Sequence, residues 1–294
     1  MNLKLRNILT SLLITSLIGL SMKCKQNHNP TCIQPICIIA DIQNGVHGIT
    51  FSSNGDLIVA THHNLQKVNT LGQVSPFTTL KHVTDTTRIW NMKYDPDGNL
   101  YCAAKDFLIM ITPQGKQKIL ANEKFTGRWG ICDLAFDQRG NIYTVHGKTI
   151  SRYDKDGNRQ DMFTQILSSD SIKALVGITF DKTFNNLFVS DVFGQQVIQI
   201  PFKSDDKNIK AQFYKLDGYP EYFAWTKDNS LVVSSPGKKR SKLFQLNNGR
   251  FIQLEFANGD SIQGLNTITF GQTPFLEDAA YGLGHGKLYE MALK

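Results

Sequence analysis

One pattern of apolar and polar positions recurs along this chain. A short apolar run ends in an aromatic residue, a polar turn follows, and a second apolar run comes after it. The copies read GITFSSNGDLIVAT, NMKYDPDGNLYCAA, DLAFDQRGNIYTVH, GITFDKTFNNLFVSD and YFAWTKDNSLVVSS, with a degenerate sixth, NTITFGQ followed by EDAAYGLG. The anchoring aromatics are Phe51, Tyr94, Phe136, Phe180, Trp225 and Phe270, separated by 43, 42, 44, 45 and 45 residues. Short apolar runs bounded by turn residues predict strands. A regular period of roughly 40–50 residues is that of a four-stranded propeller blade.

The turns fit hairpins. Asn54-Gly55, Asp97-Gly98 and Arg139-Gly140 supply the positive φ of a tight turn, and Asn185-Asn186 and Asp228-Asn229 are expected to do the same. Two further strands are predicted after each hairpin, at 65–69 and 74–78, 107–112 and 116–120, 149–153 and 160–163, 196–202 and 211–216, and 242–246 and 251–256. The sixth copy has strands at 279–283 and 287–292, and then the chain ends. Its outermost strand is missing, while residues 36–41 are a spare strand ahead of the first copy. Pairing of 36–41 with 287–292 would close the ring and hide two sheet edges. The fold expected is one all-β domain over residues 36–294, a six-bladed propeller of antiparallel four-stranded blades.

The N-terminus is of another kind. Lys4 and Arg6 precede an uncharged, mostly apolar run at 8–20, too short to span a bilayer, which takes about 20 apolar residues. Residues 1–23 are read as a secretory signal and 24–35 as a linker, so the protein is expected to be exported, periplasmic or secreted. Cleavage after Ser21 is the favoured route. Lipid attachment at Cys24 is the alternative, although Met22-Lys23 departs from the small residues such a site prefers. The membrane is expected to be met only through the signal or that anchor. Of the net charge of +7, Lys4, Arg6 and Lys23 supply three, leaving a mild +4 that does not argue for nucleic acid. Cys32 and Cys37 are expected to form a local disulfide in an oxidising compartment, with Cys102 a buried free thiol.

The copies resemble the six-bladed propeller superfamily that includes the regucalcin and gluconolactonase lactonases and, more loosely, NHL-repeat proteins. The resemblance implies a ligand face at the channel mouth where the innermost strands begin, with calcium held by acid and amide side chains four residues before the anchoring aromatic on four of the blades. That offset gives His47, Cys132, Val176 and Glu221 here. Only Glu221 keeps an acid, so the calcium site is not intact, and Glu221 with His47 is the candidate set for any other divalent cation. The other two blades put Trp90 and Asn266 in the same ring, with Asn91 and Asp133 one residue further on. His62, Lys105, His146 and Asp191 end second strands and are expected near the mouth; Arg88, Arg128 and Trp129 are expected on its rim. The candidate binding residues are therefore His47, Trp90, Cys132, Asp133, His146, Glu221 and Asn266.

Each has an ordinary reading beside the functional one. Glu221 with His47 could form an acid–base pair, or simply satisfy each other as polar groups, which is preferred. Trp90 could be a stacking platform or a channel plug. Asp191 is read as a turn cap, and His62 and His63 as solvent-facing. Cys132 as a nucleophile would need a base to make thiolate. No G-x-S-x-G elbow, P-loop or H-E-x-x-H is present. The functional expectation is a propeller that binds a small molecule, glycan or protein at the channel mouth; the alternative is a metal-dependent lactone or ester hydrolase with altered metal ligands.

Overall fold

A computed structural model describes residues 32–42, 46–81, 83, 87–125, 129–202, 209–256, 261–277 and 279–293. The signal segment, Cys24, most of the expected linker and Arg128 lie outside the described residues. The described residues form 24 strands in six antiparallel blades. Blade 1 holds β2 (Val46–Phe51), β3 (Leu57–Thr61), β4 (Asn64–Val68) and β5 (Val74–Thr79). Blade 2 holds β6 (Asn91–Tyr94), β7 (Leu100–Ala104), β8 (Phe107–Ile111) and β9 (Gln117–Asn122). Blade 3 holds β10 (Asp133–Phe136), β11 (Ile142–His146), β12 (Thr149–Tyr153) and β13 (Arg159–Met162), with a single helical turn α1 (Thr164–Leu167) after it. Blade 4 holds β14 (Leu175–Phe180), β15 (Asn186–Asp191), β16 (Gln196–Pro201) and β17 (Gln212–Lys215). Blade 5 holds β18 (Phe223–Trp225), β19 (Leu231–Ser235), β20 (Lys242–Asn247) and β21 (Arg250–Phe256). Blade 6 holds β22 (Leu265–Phe270), β23 (Ala279–Gly284) and β24 (Lys287–Leu293), completed by β1 (Cys32–Asp41).

Burial explains the sequence pattern. The second strands β3, β11 and β19 are buried at every residue, because they lie between neighbouring blades. They therefore read as continuous apolar runs rather than alternating ones. The outermost strands β5, β13 and β17 are mostly exposed and polar. Each of the turns at Asp95, Asp137 and Asp154 has its carboxylate accept the backbone N–H and side-chain amide of the Asn four residues on. The glycine before that Asn takes φ of +81°, +80° and +95° in turn, which a Cβ would oppose. In blade 4 the expectation at Asn185-Asn186 is corrected. Phe184 adopts the left-handed φ of +55°, and Asn185 and Asn186 instead donate to the Asp181 carboxylate.

The ring closes as the missing strand required. β1 pairs antiparallel with β24, from Ile36 opposite Met291 to Asp41 opposite Lys287. It also starts earlier than expected, at Cys32, and there pairs in parallel with β21 through Glu255 and Phe256. Blades 5 and 6 thus share one eight-stranded sheet. This overturns the expected Cys32–Cys37 disulfide. Both residues lie on β1, and five extended positions separate their Cα atoms by about 16 Å, beyond the roughly 7 Å a disulfide can bridge. Cys102 is buried and free, as expected, with its thiol pushed up by burial.

Removing residues 1–31 should leave the unfolding temperature unchanged, because β1 is retained. Removing residues 1–41 exposes the β24 edge and should lower the midpoint by on the order of 10 °C or cause aggregation. Thermal unfolding followed by circular dichroism compares the two, and coincident melts would refute closure by β1.

Candidate functional site

Three of the six ring positions sit in irregularities of the innermost strands. The β2–β3 register shifts between Val46 and Ile49, the β14–β15 register between Leu175 and Ile178, and the β22–β23 register between Leu265 and Thr267. His47, Val176 and Asn266 fall within these shifts. An extra residue there bends the strand and re-aims its side chains. Gly177 fits because a Cβ on it would stand 2.0 Å from the Glu221 carbonyl oxygen. The Ser190 hydroxyl accepts the Gly177 N–H and donates to that same carbonyl. The backbone at Glu221 is thereby fixed against blade 4.

An arc of rings crosses this mouth. His47 and Trp90 have centroids 4.8 Å apart, Trp90 and Trp129 5.4 Å, and Trp129 and Phe193 6.4 Å. On the other side the Asn266 amide lies 3.4 Å from His47 Nδ1. The arc begins buried at Trp90 and ends on Phe193, which is 57% exposed. Two polar atoms of these blades, Trp90 Nε1 and His62 Nδ1, are buried with no hydrogen-bond partner among the described residues. A buried unpaired donor or acceptor costs about 1–3 kcal/mol, so such atoms mark where an incoming group would bond. Burial, reinforced by Arg88 and His62, drives the His47 pKa down to about 4, so its imidazole is neutral at pH 7.

Glu221 stands across the ring on blade 5. Its residue is half-buried, yet desolvation alone pushes its pKa up to about 8. Its carboxyl makes no hydrogen bond or ion pair among the described residues.

The remaining expected residues divide. Cys132 is fully buried, and its thiol lies 3.2 Å from the Gly130 carbonyl oxygen as donor. Burial, with Asp133 and Glu221 nearby, raises its pKa, so it stays protonated. Val176 is buried hydrocarbon. Asp133 is buried below the mouth. Its carboxylate accepts from Asn91 Nδ2 at 2.8 Å, Leu134 N at 2.7 Å and Ile178 N at 2.9 Å, and Lys93 Nζ is 3.3 Å away. Burial raises its pKa against the opposing pull of Lys93 and those donors. The structure does not bring His146 to the ring. Its ring packs on Phe125, with Nε2 3.0 Å from Ser151 Oγ and 3.2 Å from Arg159 on the outer strands. Asp191 is buried and accepts backbone N–H groups of Lys173, Ala174 and Gly194, the capping role expected. The Lys105 carbonyl accepts the Ile131 N–H. His62 and His63, expected in solvent, are half-buried. Among the described residues no three His, Cys, Asp or Glu side chains form a metal-ligating group. Sequence reasoning missed Phe193 and the exposed Tyr219 two residues before Glu221. The signal available for Phe193 was an aromatic inside the polar turn Asp191-Val192-Phe193-Gly194.

These features define a six-bladed propeller, and its fold is related to gluconolactonase- and lyase-type structures. A gluconolactonase from Xanthomonas campestris matches with a TM-score of 0.69 at 14% identity, over 92% of this chain and 94% of that one. A luciferin-regenerating enzyme matches at 0.65 and 10% identity, over 88% and 95%. Virginiamycin B lyase from Staphylococcus aureus matches at 0.60 and 12% identity, over 88% and 99%. At these identities the likeness establishes architecture alone. No protein-family model and no curated protein sequence matches the chain.

The Glu221 shift has a testable sign. Between pH 4.5 and 8 the folded protein holds a proton on Glu221 that the unfolded chain releases. That contribution to stability therefore declines as pH rises through the window. Glu221→Gln cannot ionise, so at pH 9 it should be more stable than wild type by on the order of 2 kcal/mol, with the gap closing toward pH 4.5. Urea unfolding at several pH values measures this; parallel curves for the two proteins would contradict it.

Proposed function

We propose that this chain is an exported ligand-binding propeller of gluconolactonase-like architecture, and that its ligand enters the mouth lined by His47, Trp90, Trp129 and Glu221. The observation that carries this reading is the set of unpaired polar groups there, Trp90 Nε1, His62 Nδ1 and the Glu221 carboxyl, beside an aromatic arc ending on exposed Phe193. Flat rings supply stacking area and a few unpaired polar atoms supply orientation, the usual composition of a small-molecule site. A small molecule, a sugar ring of a glycan or a protruding protein side chain meets those requirements.

The calcium site implied by the lactonase resemblance does not suit the residues present. Val176 offers no donor atom, and Cys132 is a protonated thiol already committed to a carbonyl. Hard cations prefer oxygen ligands. No step through calcium is therefore assigned. The second reading, a hydrolase of lactones or esters with altered ligands, is favoured by one observation. A carboxyl protonated at pH 7 and a neutral imidazole occupy the same mouth, one able to give a proton and the other to take one.

Metal analysis of purified protein, with thermal unfolding in the presence and absence of calcium and zinc, separates these readings. The binding reading expects no stoichiometric metal, no metal-dependent shift and no lactone or ester turnover. Tightly held metal that is lost in Glu221→Gln, together with lactone or ester turnover, would favour the hydrolase instead.

Export is tested by the mass of the mature N-terminus. A start at Met22 is expected for the soluble route and a lipid-modified Cys24 for the tethered one. An intact Met1 in protein from the native host would refute export.

A further inference from the structure

The far ends of the same innermost strands open into a second recess, a cavity of about 650 Å³. Asn91 and Lys93 line it from the side of the Asp133 cluster. Its walls carry Phe136, Phe180, Trp225 and Phe270, four of the six anchoring aromatics, together with Phe223. The size and apolar walls are those of a site for a small organic molecule.

The polar groups of this funnel are unevenly satisfied. Both oxygens of every carboxylate there are engaged. Asp181 accepts from Thr183, Asn185 and Asn186. Glu277 accepts from Thr273 Oγ1 at 2.6 Å and pairs with Lys227 at 2.6 Å. Asp133, beneath the floor, has its backbone and Asn91 donors already. The cations are not so fully used. Lys93 Nζ donates to the Ile178 carbonyl at 2.9 Å and faces Asp133 at 3.3 Å, which leaves one of an ammonium's three N–H donors for the cavity that it lines. Lys182 lines the cavity, is exposed, and has no ion-pair partner among the described residues. Trp225 cannot supply a donor, because its indole N–H is committed to Thr179 Oγ1 and the Phe180 carbonyl. The funnel therefore offers cationic donors at Lys182 and Lys93 over an aromatic wall, while each of its carboxylates is already held by neighbouring donors.

We propose that this opposite mouth is a second binding site, for an organic carboxylate with an aromatic or other apolar body. The carboxylate is met by Lys182 at the rim and Lys93 at the floor, and the body lies against Trp225 and the phenylalanines. A charge-assisted contact of this kind discriminates the anion from its neutral isostere, because only the anion uses both lysines. The site does not depend on the ligand reading of the other mouth.

The probe is 4-nitrobenzoate, whose nitrophenyl group quenches tryptophan fluorescence, compared with 4-nitrobenzyl alcohol and 4-nitrobenzylamine. The three tryptophans report position: Trp90 and Trp129 are at one mouth and Trp225 at the other. Calorimetric titration of the full chain should show saturable binding of the carboxylate, at least about tenfold tighter than the alcohol or the amine. The quench should survive Trp90→Phe and disappear in Trp225→Phe. Lys182→Glu should weaken binding by about tenfold or more, and Lys182→Gln, checked by its melt, serves if the charge reversal disturbs folding. Absence of saturable binding, equal affinity for the alcohol, an unchanged Lys182 variant, or a quench lost with Trp90 rather than Trp225 would each overturn the proposal.

Discussion

Everything in this molecule depends on closing the ring. A blade with buried second strands such as β3, β11 and β19 has two apolar faces, and it can cover both only if a neighbour stands on each side. Six copies leave the first and last blades each with one open face unless the two ends of the chain meet. β1 makes that meeting with both of its edges, antiparallel to β24 and parallel to β21. The Ile42 N–H extends the joint by donating to the Gly286 carbonyl. The outer turn of blade 1 leans on the same strand, since a Cβ on Gly72 would stand 1.9 Å from the Ile39 carbonyl oxygen. Closure fixes the spacing of the innermost strands, and so the shape of both mouths.

Within the ring, the blades are joined at the axis by two kinds of polar link. Between blades 4, 5 and 6 a serine near the end of a second strand bridges to the next innermost strand. Ser190 donates to the Glu221 carbonyl and Ser234 to the Asn266 carbonyl. Between blades 2, 3 and 4 side chains do the work, with Asp133 reaching Asn91, Lys93 and Ile178 N. A buried charge is costly unless its lone pairs are met, and Asp133 meets them with donors from three blades. Polar satisfaction is therefore nearly complete along the channel's middle. It fails at the mouths, at Trp90 Nε1, His62 Nδ1 and Glu221 on one side and at the two under-used lysines on the other.

The sequence made the architecture legible because the repeat carries it. One aromatic per blade and a turn every period are independent of the details of packing, and the strand deficit in the sixth copy implied the closure. The offset of four residues before the aromatic names His47, Trp90, Glu221 and Asn266; of these His47 lies against Trp90 and the Asn266 amide, even though the strand register shifts at three of the six ring positions. Extending the argument to the ends of second strands failed at His146. Val145 lies opposite Asp133 in the ladder, and side chains alternate between faces, so His146 points to the neighbouring Ser151 and Arg159 instead. The cysteine expectation failed for a related reason. Five residues look close in sequence, but in β1 they are held extended. Phe193 was missed because an aromatic in a turn signals exposure but not its partner, and it acts from blade 4 onto Trp129 of blade 3.

The electrical character of the first mouth follows from burial rather than from residue counts. There, desolvation pushes the Glu221 pKa up and the His47 pKa down, the latter helped by the positive charge of Arg88. Near pH 7 the acid and the imidazole both stand uncharged, so what these two groups select rests on hydrogen bonds, beside stacking on the rings. A ligand that brought a positive charge to Glu221 would favour its ionised form and release a proton as it bound. A neutral ligand would leave the proton in place, available either to bond the ligand or to be transferred to it. Binding protein and hydrolase thus begin from the same protonated carboxyl. What divides them is whether a basic atom of the bound molecule lies where that proton can reach it.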